Sequence, residues 1–331
     1  MFRPLRMACA FVLGLMFAPL SMAATTFVTM GSGATSGLYY VTAVGMAKIV
    51  NDAAIGMRIG ARSTGGGVFN VEAIQDGALQ LAITQNNVAY FAYRGTGIQA
   101  FEGKPTRNVR GLATLYPEVL HILARRSTGI HSLADLKGRT VYVGDIGSGA
   151  EQDAIAVLGI AGLQVSDLKT AVRGSVGNAV NMLRDGKIDA MLFTVGIGSG
   201  AIVEAAQTVP IELVPIDAPT IARLVERYPY YSGTVIPAGA YPHVETDTPA
   251  IAVKAMLVAS NTLTAAEVQR LMTTLFSTHL GSLYTDIQNP NLKQYFKVNR
   301  ALEGMSIPLH AGAVAFYKSA GVDVPASLIA P

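Results

Sequence analysis

The feature that most constrains the fold is a unit of 21 residues that occurs twice. TGGGVFNVEAIQDGALQLAIT (64–84) and RGSVGNAVNMLRDGKIDAMLF (173–193) align at an offset of 109 residues. In each copy, a glycine-rich loop leads into apolar residues at helical spacing, and the helix ends at Asp-Gly, where glycine can take the left-handed conformation. A short apolar strand follows each Asp-Gly, so each copy predicts a loop, a helix and a strand.

The segments upstream of the two copies also correspond. Thr26–Met30 leads through a glycine loop to a helix from Leu38, and Thr140–Val143 leads through GDIGSG to a helix from about Ser148. Strands alternating with glycine loops and helices predict an α/β fold with parallel sheets. Two copies predict two similar lobes, each with a parallel-sheet core. The alternative is a chance resemblance between loops of small residues.

The N-terminus has the composition of a secretory signal peptide. Arg3 and Arg6 precede an apolar stretch, and Ser21-Met22-Ala23 is a small-x-small cleavage site. We therefore expect residues 1–23 to be removed and the product to be periplasmic. The alternative is a membrane anchor, for which the stretch is short. Cys9, the only cysteine, would leave with the peptide, so no disulfide or thiolate metal site is expected.

The composition of the mature chain excludes several classes of partner. From Ala24 onward, 308 residues remain with a net charge of +1, enough for two domains and without a basic run, so we expect no nucleic-acid partner. No later segment reaches the roughly 18 uninterrupted apolar residues of a membrane helix. We expect a soluble, monomeric exported protein.

Nucleotide and catalytic motifs are weak or missing. Gly31, Gly33 and Gly37 loosely match a dinucleotide fingerprint, but the second strand ends at Arg62–Thr64, without the expected acidic residue. The histidines have no metal-ligand spacing, and no G-x-S-x-G motif occurs. We therefore expect no cofactor, no metal and no catalysis. An exported α/β hydrolase with a spatially assembled Ser-His-Asp set remains the alternative.

Loops at the carboxyl ends of the strands are the expected ligand site. In open parallel sheets, ligands bind there, and the N–H groups of helix N-termini favour an anion such as a carboxylate. We expect a small organic anion in a cleft between the lobes. The candidate ligand-binding residues are Ser36, Tyr39, Thr64, Gly65, Gly66, Gln85, Asn86, Tyr116, Gly147, Ser148, Gly149 and Arg173.

Some of these candidates also have a purely structural explanation. Ser36 would cap the following helix, and Tyr39 would pack into the core. Gln85 has a neutral amide at a strand end, a position that orients polar ligands. Arg173 aligns with Thr64 at the repeat offset, so its guanidinium would hold a ligand carboxylate; otherwise it is a solvent-exposed arginine.

Four segments resemble the TAXI-type solute receptors of TRAP transporters. They are STGGGVFNVEAIQDGALQLAITQNNVAYFAYRGTG (63–97), YPEVLHILARRSTGIHSLADLKGRTVYVGDIGSGAE (116–151), IPAGAYP (236–242) and ALEGMSIPLHAGAVAFYKSAGV (301–322). The resemblance covers essentially the whole mature chain in order. It implies a two-lobed periplasmic binding protein of type II topology with a hinge.

The resemblance also implies a ligand class and a partner. Glutamate, glutamine, 2-oxoglutarate and similar dicarboxylates are the ligands it suggests, delivered without catalysis to the membrane subunits of a TRAP transporter. A receptor of an ATP-driven importer is the alternative within the same fold. The lobes implied are residues 24–115 with 249–331, and residues 116–248, with crossings near 115–117 and 233–248.

Overall fold

The computed structural model describes residues 25–146, 148–228, 230–276 and 290–330. The predicted signal peptide (1–23), Gly147 and His279 lie outside these ranges. The strands are β1 Thr26–Gly31, β2 Met57–Arg62, β3 Leu81–Gln85, β4 Val109–Arg125, β5 Thr140–Tyr142, β6 Thr170–Val172, β7 Ala190–Val195, β8 Ile211–Leu213, β9 Ser232–Ile236 and β10 Thr248–Ser260.

The helices connect these strands. They are α1 Leu38–Asp52, α2 Gly67–Gln75, α3 Asn86–Arg94, α4 Gly149–Ile160, α5 Val176–Arg184, α6 Gly200–Thr208, α7 Ala218–Arg227, α8 Ala265–Leu275, α9 Pro290–Tyr295 and α10 Ala311–Ser319. Short 3-10 helices cover Gln99–Phe101, Arg126–Thr128, Leu133–Leu136, Val165–Asp167, Val298–Arg300 and Ala326–Leu328. None of the helices in the described ranges has the length and apolar character that a membrane span requires.

The strands form one curled sheet of two similar halves. Its order is β2-β1-β3-β10-β4-β7-β5-β6, with β8 beside β4 and β9 beside β10. Strands β1, β2 and β3 are mutually parallel, as are β5, β6 and β7, whereas β10 and β4 run antiparallel to β3 and β7. We call β1–β3 with α1–α3 the first lobe, and β5–β8 with α4–α7 the second lobe. The predicted fold class, an α/β fold with two similar lobes that have parallel-sheet cores, is confirmed by the order and directions of the strands.

The repeat predicted from the sequence is present in the structure. Helices α2 and α5 each span nine residues at the offset of 109, and both have an aspartate at the C-cap. Gly77 and Gly186 follow with φ of 78° and 72°, the left-handed geometry that the Asp-Gly steps predicted. The apolar faces of both helices are buried, and each buried aliphatic side chain contributes about 1.5–3 kcal/mol. The residues of these faces are Val68, Val71 and Ile74 in α2, and Val176, Val180 and Leu183 in α5.

Strands β4 and β10 pair with each other and connect the two lobes. Their register shifts between Lys254 and Met256, beside Pro117 and Thr114, near the predicted crossing at 115–117. The second predicted crossing, 233–248, contains β9, which pairs with the beginning of β10. The later part of β10, from Ala255 to Ala259, then pairs with β3 of the first lobe. The exact lobe boundaries remain a prediction.

Candidate functional site

A cleft lies between the lobes, at the carboxyl ends of the parallel strands. The starts of α1, α2, α4 and α5 meet there, as the topology of an open parallel sheet requires. The space free of protein atoms is about 590 Å³, part of it open to solvent. The lining residues are Gly33, Ala34, Gly37, Leu38, Tyr39, Gly65, Gly66, Gly67, Gln85, Glu118, Tyr142, Asp145, Ser148, Gly149, Ala150, Val176, Phe193, Thr194 and Val195.

The first-lobe wall presents two helix N-termini without side-chain caps. The N-cap residues of α1 and α2 are Gly37 and Gly66, which have no side chain to accept the first N–H groups. Gly66 has φ of 100°, so an L-amino acid there would be strained. Both glycines line the cleft. Uncapped N–H groups and the positive end of the helix dipole make this wall a hydrogen-bond donor.

The second-lobe wall caps its corresponding helices. The Ser148 hydroxyl accepts the N–H of Glu151 at the start of α4, at 3.2 Å. The Ser175 hydroxyl accepts the N–H of Asn178 at the start of α5, at 3.4 Å. Side-chain caps of this kind satisfy N–H groups that would otherwise be free for a ligand.

A buried carboxylate joins the lobes. Asp153 of α4 has no exposed surface and accepts hydrogen bonds from two amides of the first lobe, Gln85 at 3.3 Å and Asn87 at 2.8 Å. The Tyr231 hydroxyl also donates to it, at 2.6 Å. Burial raises the pKa of Asp153 to about 6, although these hydrogen bonds oppose the shift. The structure is therefore closed across the cleft by direct contacts between the lobes.

A second buried carboxylate, Glu118 of β4, lines the cleft. The Tyr39 hydroxyl donates to the Glu118 carboxylate at 2.7 Å, and Glu118 is 2% exposed. Burial raises the pKa of Glu118 to about 8, the hydrogen bond from Tyr39 lowers it, and the charge of Asp153 raises it again. At neutral pH in this closed conformation, Glu118 is therefore mainly protonated.

The described histidines serve structural contacts. His121 is buried, with Nδ1 2.8 Å from the Val119 carbonyl and Nε2 2.9 Å from the Tyr241 hydroxyl, and burial lowers its pKa to about 4. His131 contacts the Glu212 carboxylate, and the His310 ring contacts the Leu263 carbonyl and the Gly312 N–H, so neither of them contacts a serine hydroxyl in these interactions. Within the described ranges, no group of three or more His, Cys, Asp or Glu residues is arranged to hold a metal ion.

The structure brings half of the sequence candidates together. The candidates that line the cleft are Tyr39, Gly65, Gly66, Gln85, Ser148 and Gly149. Gly149 and Gln85 lie against each other across the cleft, so closely that a Cβ at Gly149 would overlap the Gln85 amide. Gly147 lies outside the described residues.

The other candidates lie outside the cleft lining. Ser36 is exposed, and its predicted cap is not formed, because the N-cap of α1 is Gly37. Thr64 donates to the Ser32 carbonyl and holds the loop. The remaining three have other contacts. Asn86 forms hydrogen bonds with the backbone of Lys254 and Gly304, Tyr116 is buried, and Arg173 Nε donates to Glu151 Oε1 at 2.6 Å.

Sequence reasoning missed the acidic side of the cleft. Glu118, Asp145 and Asp153 were not among the candidates, nor was Asn87. Glu118 is the only acidic residue in β4, an otherwise largely apolar strand, and that isolation was an available indication. Asp153 similarly lies on a helix that is otherwise rich in small and apolar residues.

Residues 30–321 match the NMT1-like family. A solved protein from Bordetella bronchiseptica RB50 is 16% identical, with a TM-score of 0.52 and 91% of each chain covered, which shows a shared fold alone. The alkanesulfonate-binding protein SsuA from Xanthomonas axonopodis pv. citri, bound to MOPS, is 15% identical with a TM-score of 0.49. That alignment covers 90% of this chain and 92% of the SsuA chain.

Proposed function

The chain belongs to the NMT1-like family, and on that premise we propose that it is an exported solute-binding protein. It captures a small organic solute with a carboxylate between its lobes and does not chemically alter it. The observation that carries this proposal is the cleft itself. Uncapped helix N-termini on one wall face a second wall, and direct hydrogen bonds already join the two lobes.

Ligand capture would operate through closure of the lobes. A ligand shifts an equilibrium between open and closed forms only if it contacts the closed form better, which requires groups from both walls. The first-lobe N–H groups would hold the carboxylate, and the Gln85 amide would orient the ligand beside them. The glycines lining the cleft allow the ligand to approach the backbone closely.

The proposed partner is the membrane part of a TRAP transporter, and the proposed location is the periplasm. Both follow from the four segments that resemble TAXI-type receptors and from the signal-peptide composition of residues 1–23. Glutamate, glutamine, 2-oxoglutarate and related dicarboxylates are the first solutes to test. The N-terminal sequence of protein isolated from a periplasmic extract should begin at Ala24.

A binding screen tests the function. Mature protein, refolded to remove copurified solute, is screened by thermal shift against amino acids, keto acids and dicarboxylates, since saturation at a hundredfold excess over Kd stabilises by about 2.7 kcal/mol. Any hit is confirmed by calorimetry and recovered unchanged after incubation. Conversion of the hit to product would support the hydrolase alternative, and the absence of any binder would overturn the proposal.

Transport energetics test the partner. Spheroplasts depleted of periplasmic proteins should regain uptake of the identified solute when purified protein is added. An ionophore that collapses the ion gradient while ATP is maintained should stop uptake through a TRAP transporter. Uptake that persists under these conditions would instead indicate an ATP-driven importer.

A further inference from the structure

Among the described residues that line the cleft, the ionisable side chains are acidic and none is basic. Glu118 and Asp145 are carboxylates, and no lysine, arginine or histidine is found in the described lining. The nearby Arg173 guanidinium contacts Glu151 instead. A ligand with two carboxylates would therefore meet acidic groups on one side without a cationic side chain to compensate them.

Glu118 lacks a cationic partner in a buried position. The groups beside its carboxylate are neutral: the Tyr39 hydroxyl donates to it, and the Gln85 amide lies close enough to lower its pKa. A carboxylate has about four lone-pair sites, and burying it ionised without a counter-charge is unfavourable. Such a group stays uncharged unless a cation enters beside it.

The titratable and polar groups that act on Glu118 come from four elements. Tyr39 faces it from α1, Gln85 from β3, Tyr116 from its own strand, and Asp153 from α4, and none of them carries a positive charge. Asp153 already accepts three hydrogen bonds from Gln85, Asn87 and Tyr231. Asp145, the other carboxylate of the lining, is only partly buried and accepts the Ile146 N–H at 2.9 Å. Glu118, which also lines the open space, is therefore the buried carboxylate available to a ligand.

We infer that the ligand carries a protonated amine, which pairs with Glu118 in the closed cleft while its carboxylate lies at the uncapped starts of α1 and α2. The rings of Tyr39, Tyr142 and Phe193 line the same space and suit a cation, because the face of an aromatic ring is negative. The ligand class is then a zwitterionic amino compound. This inference rests on the solute-binding function proposed above.

Binding then moves a proton. Glu118 is ionised in the complex, so an amine ligand displaces the proton that Glu118 holds in the closed conformation without ligand. A purely anionic ligand would instead accept a hydrogen bond from protonated Glu118 and would release no proton. Calorimetry in two buffers of different ionisation enthalpy, phosphate and Tris at pH 7.5, distinguishes the two outcomes.

The test compares solutes that differ only at one carbon. The pairs are glutamate with 2-oxoglutarate, alanine with pyruvate, and valine with its 2-oxo acid. In at least one pair, the amino member should bind about tenfold to a hundredfold more tightly, the range for a hydrogen bond to a charged group. Glu118→Gln should remove most of this preference and the proton release, while leaving the affinity for the 2-oxo member within about threefold.

Matched controls separate the possible failures. Glu226→Gln, at an exposed position on α7, makes the same chemical change away from the cleft and should leave the preference intact. Equal or tighter binding of the 2-oxo acids, or binding only of solutes without an amine, would overturn the inference and leave the binding function standing. If wild-type protein bound no solute in the panel, the binding function itself would fail, and this inference with it.

Discussion

At the repeat offset of 109 residues, α2 of the first lobe and α5 of the second begin at equivalent positions, yet they begin differently. Gly66 leaves the first N–H groups of α2 without a side-chain cap, whereas Ser175 accepts the Asn178 N–H of α5. The other pair of helices repeats this contrast, with Gly37 before α1 and Ser148 before α4. The same repeated unit thus presents free helix N–H donors in the first lobe, whereas in the second lobe serine side chains of the unit itself accept those N–H groups.

The side chains extend the contrast. The first lobe contributes neutral donors, the amides of Gln85 and Asn87 and the hydroxyl of Tyr39, while the second lobe contributes the carboxylates Asp145 and Asp153. Glu118 belongs to the crossing strand β4 and adds to the acceptor side. Donors therefore face acceptors across the cleft. The lobes can close on each other, and a ligand that bridges them needs an acceptor end and a donor end.

The largest expected effect is a loss of protein stability as the pH rises and the buried carboxyl groups Glu118 and Asp153 ionise. The folded pKa values of Glu118 and Asp153 are raised to about 8 and about 6, from ordinary values of 4.5 and 3.8. Their contribution to stability is therefore full below pH 4 and is lost as pH rises through 6 and then 8. Because one pKa unit corresponds to about 1.4 kcal/mol, the loss is on the order of 5 kcal/mol for Glu118.

Thermal unfolding of ligand-free protein from pH 5 to 8.5 measures this loss. His121, whose pKa is lowered to about 4, changes stability in the opposite direction, with its gain complete by about pH 6.5. The informative quantity is therefore the difference between wild type and Glu118→Gln, which should follow the Glu118 titration up to pH 8. A difference that stays constant with pH would mean that Glu118 is ionised in the folded protein.

The next effect concerns the contact between the walls. In Gly149→Ala, the new Cβ would overlap the Gln85 amide, so Gln85 must leave Asp153 or the lobes must separate. We expect ligand affinity to fall about tenfold to a hundredfold, since a hydrogen bond to a charged group is lost. Small-angle scattering at saturating ligand should show a less compact molecule than wild type.

Gly177→Ala is the matched control for that substitution. Gly177 lies near the start of α5, and a Cβ there meets no atom within 4 Å. It should bind like wild type and gain a few tenths of a kcal/mol to about 1 kcal/mol in stability. If Gly149→Ala also closes and binds normally, Gln85 does not form an essential link between the lobes.

A smaller effect on stability and ligand affinity should follow from exchanging the N-cap residues of α1 and α4, Gly37 and Ser148. Gly37 has φ −96° and ψ 160°, almost the values of Ser148, φ −96° and ψ 156°. Gly37→Ser should therefore cap α1 without strain in φ, although its Cβ would lie 3.2 Å from the Ala34 carbonyl oxygen, which must shift by a few tenths of an ångström. With that shift, it should raise stability by a few tenths of a kcal/mol and weaken carboxylate binding about threefold to tenfold. Ser148→Gly should lower stability by a similar small amount and leave carboxylate affinity no weaker. Calorimetry and chemical unfolding measure both, and the reverse ranking would contradict the donor-wall interpretation.

The features predicted from the sequence were those set by local patterns. The apolar spacing in α2 and α5 and the Asp-Gly steps after them lie within nine or ten residues, so the pattern alone located both helices. Glu118 and Asp153 differ in this respect, because their partners Tyr39, Gln85 and Asn87 lie 66 to 79 residues away. Only the closed tertiary structure buries them.

The last and smallest expected effect is that of replacing Arg173. It tests whether a residue that the repeat aligns with a cleft loop of the first lobe also contacts the ligand from the second lobe. The alignment of Arg173 with Thr64 predicted a contact with a ligand carboxylate. In the structure, its Nε lies 2.6 Å from Glu151, and a third of its side chain is exposed. Partly exposed ion pairs contribute little, so Arg173→Ala should cost at most about 1 kcal/mol of stability.

Ligand affinity should then stay within about threefold for monocarboxylates and dicarboxylates alike, because a pair of this kind transmits little energy to the cleft. Calorimetry on Arg173→Ala with one ligand of each kind decides the question. A selective tenfold loss for the dicarboxylate would show that Arg173 leaves Glu151 to contact the ligand. In that case the second lobe would contribute a cationic donor, and the division into donor and acceptor walls would hold only for the empty cleft.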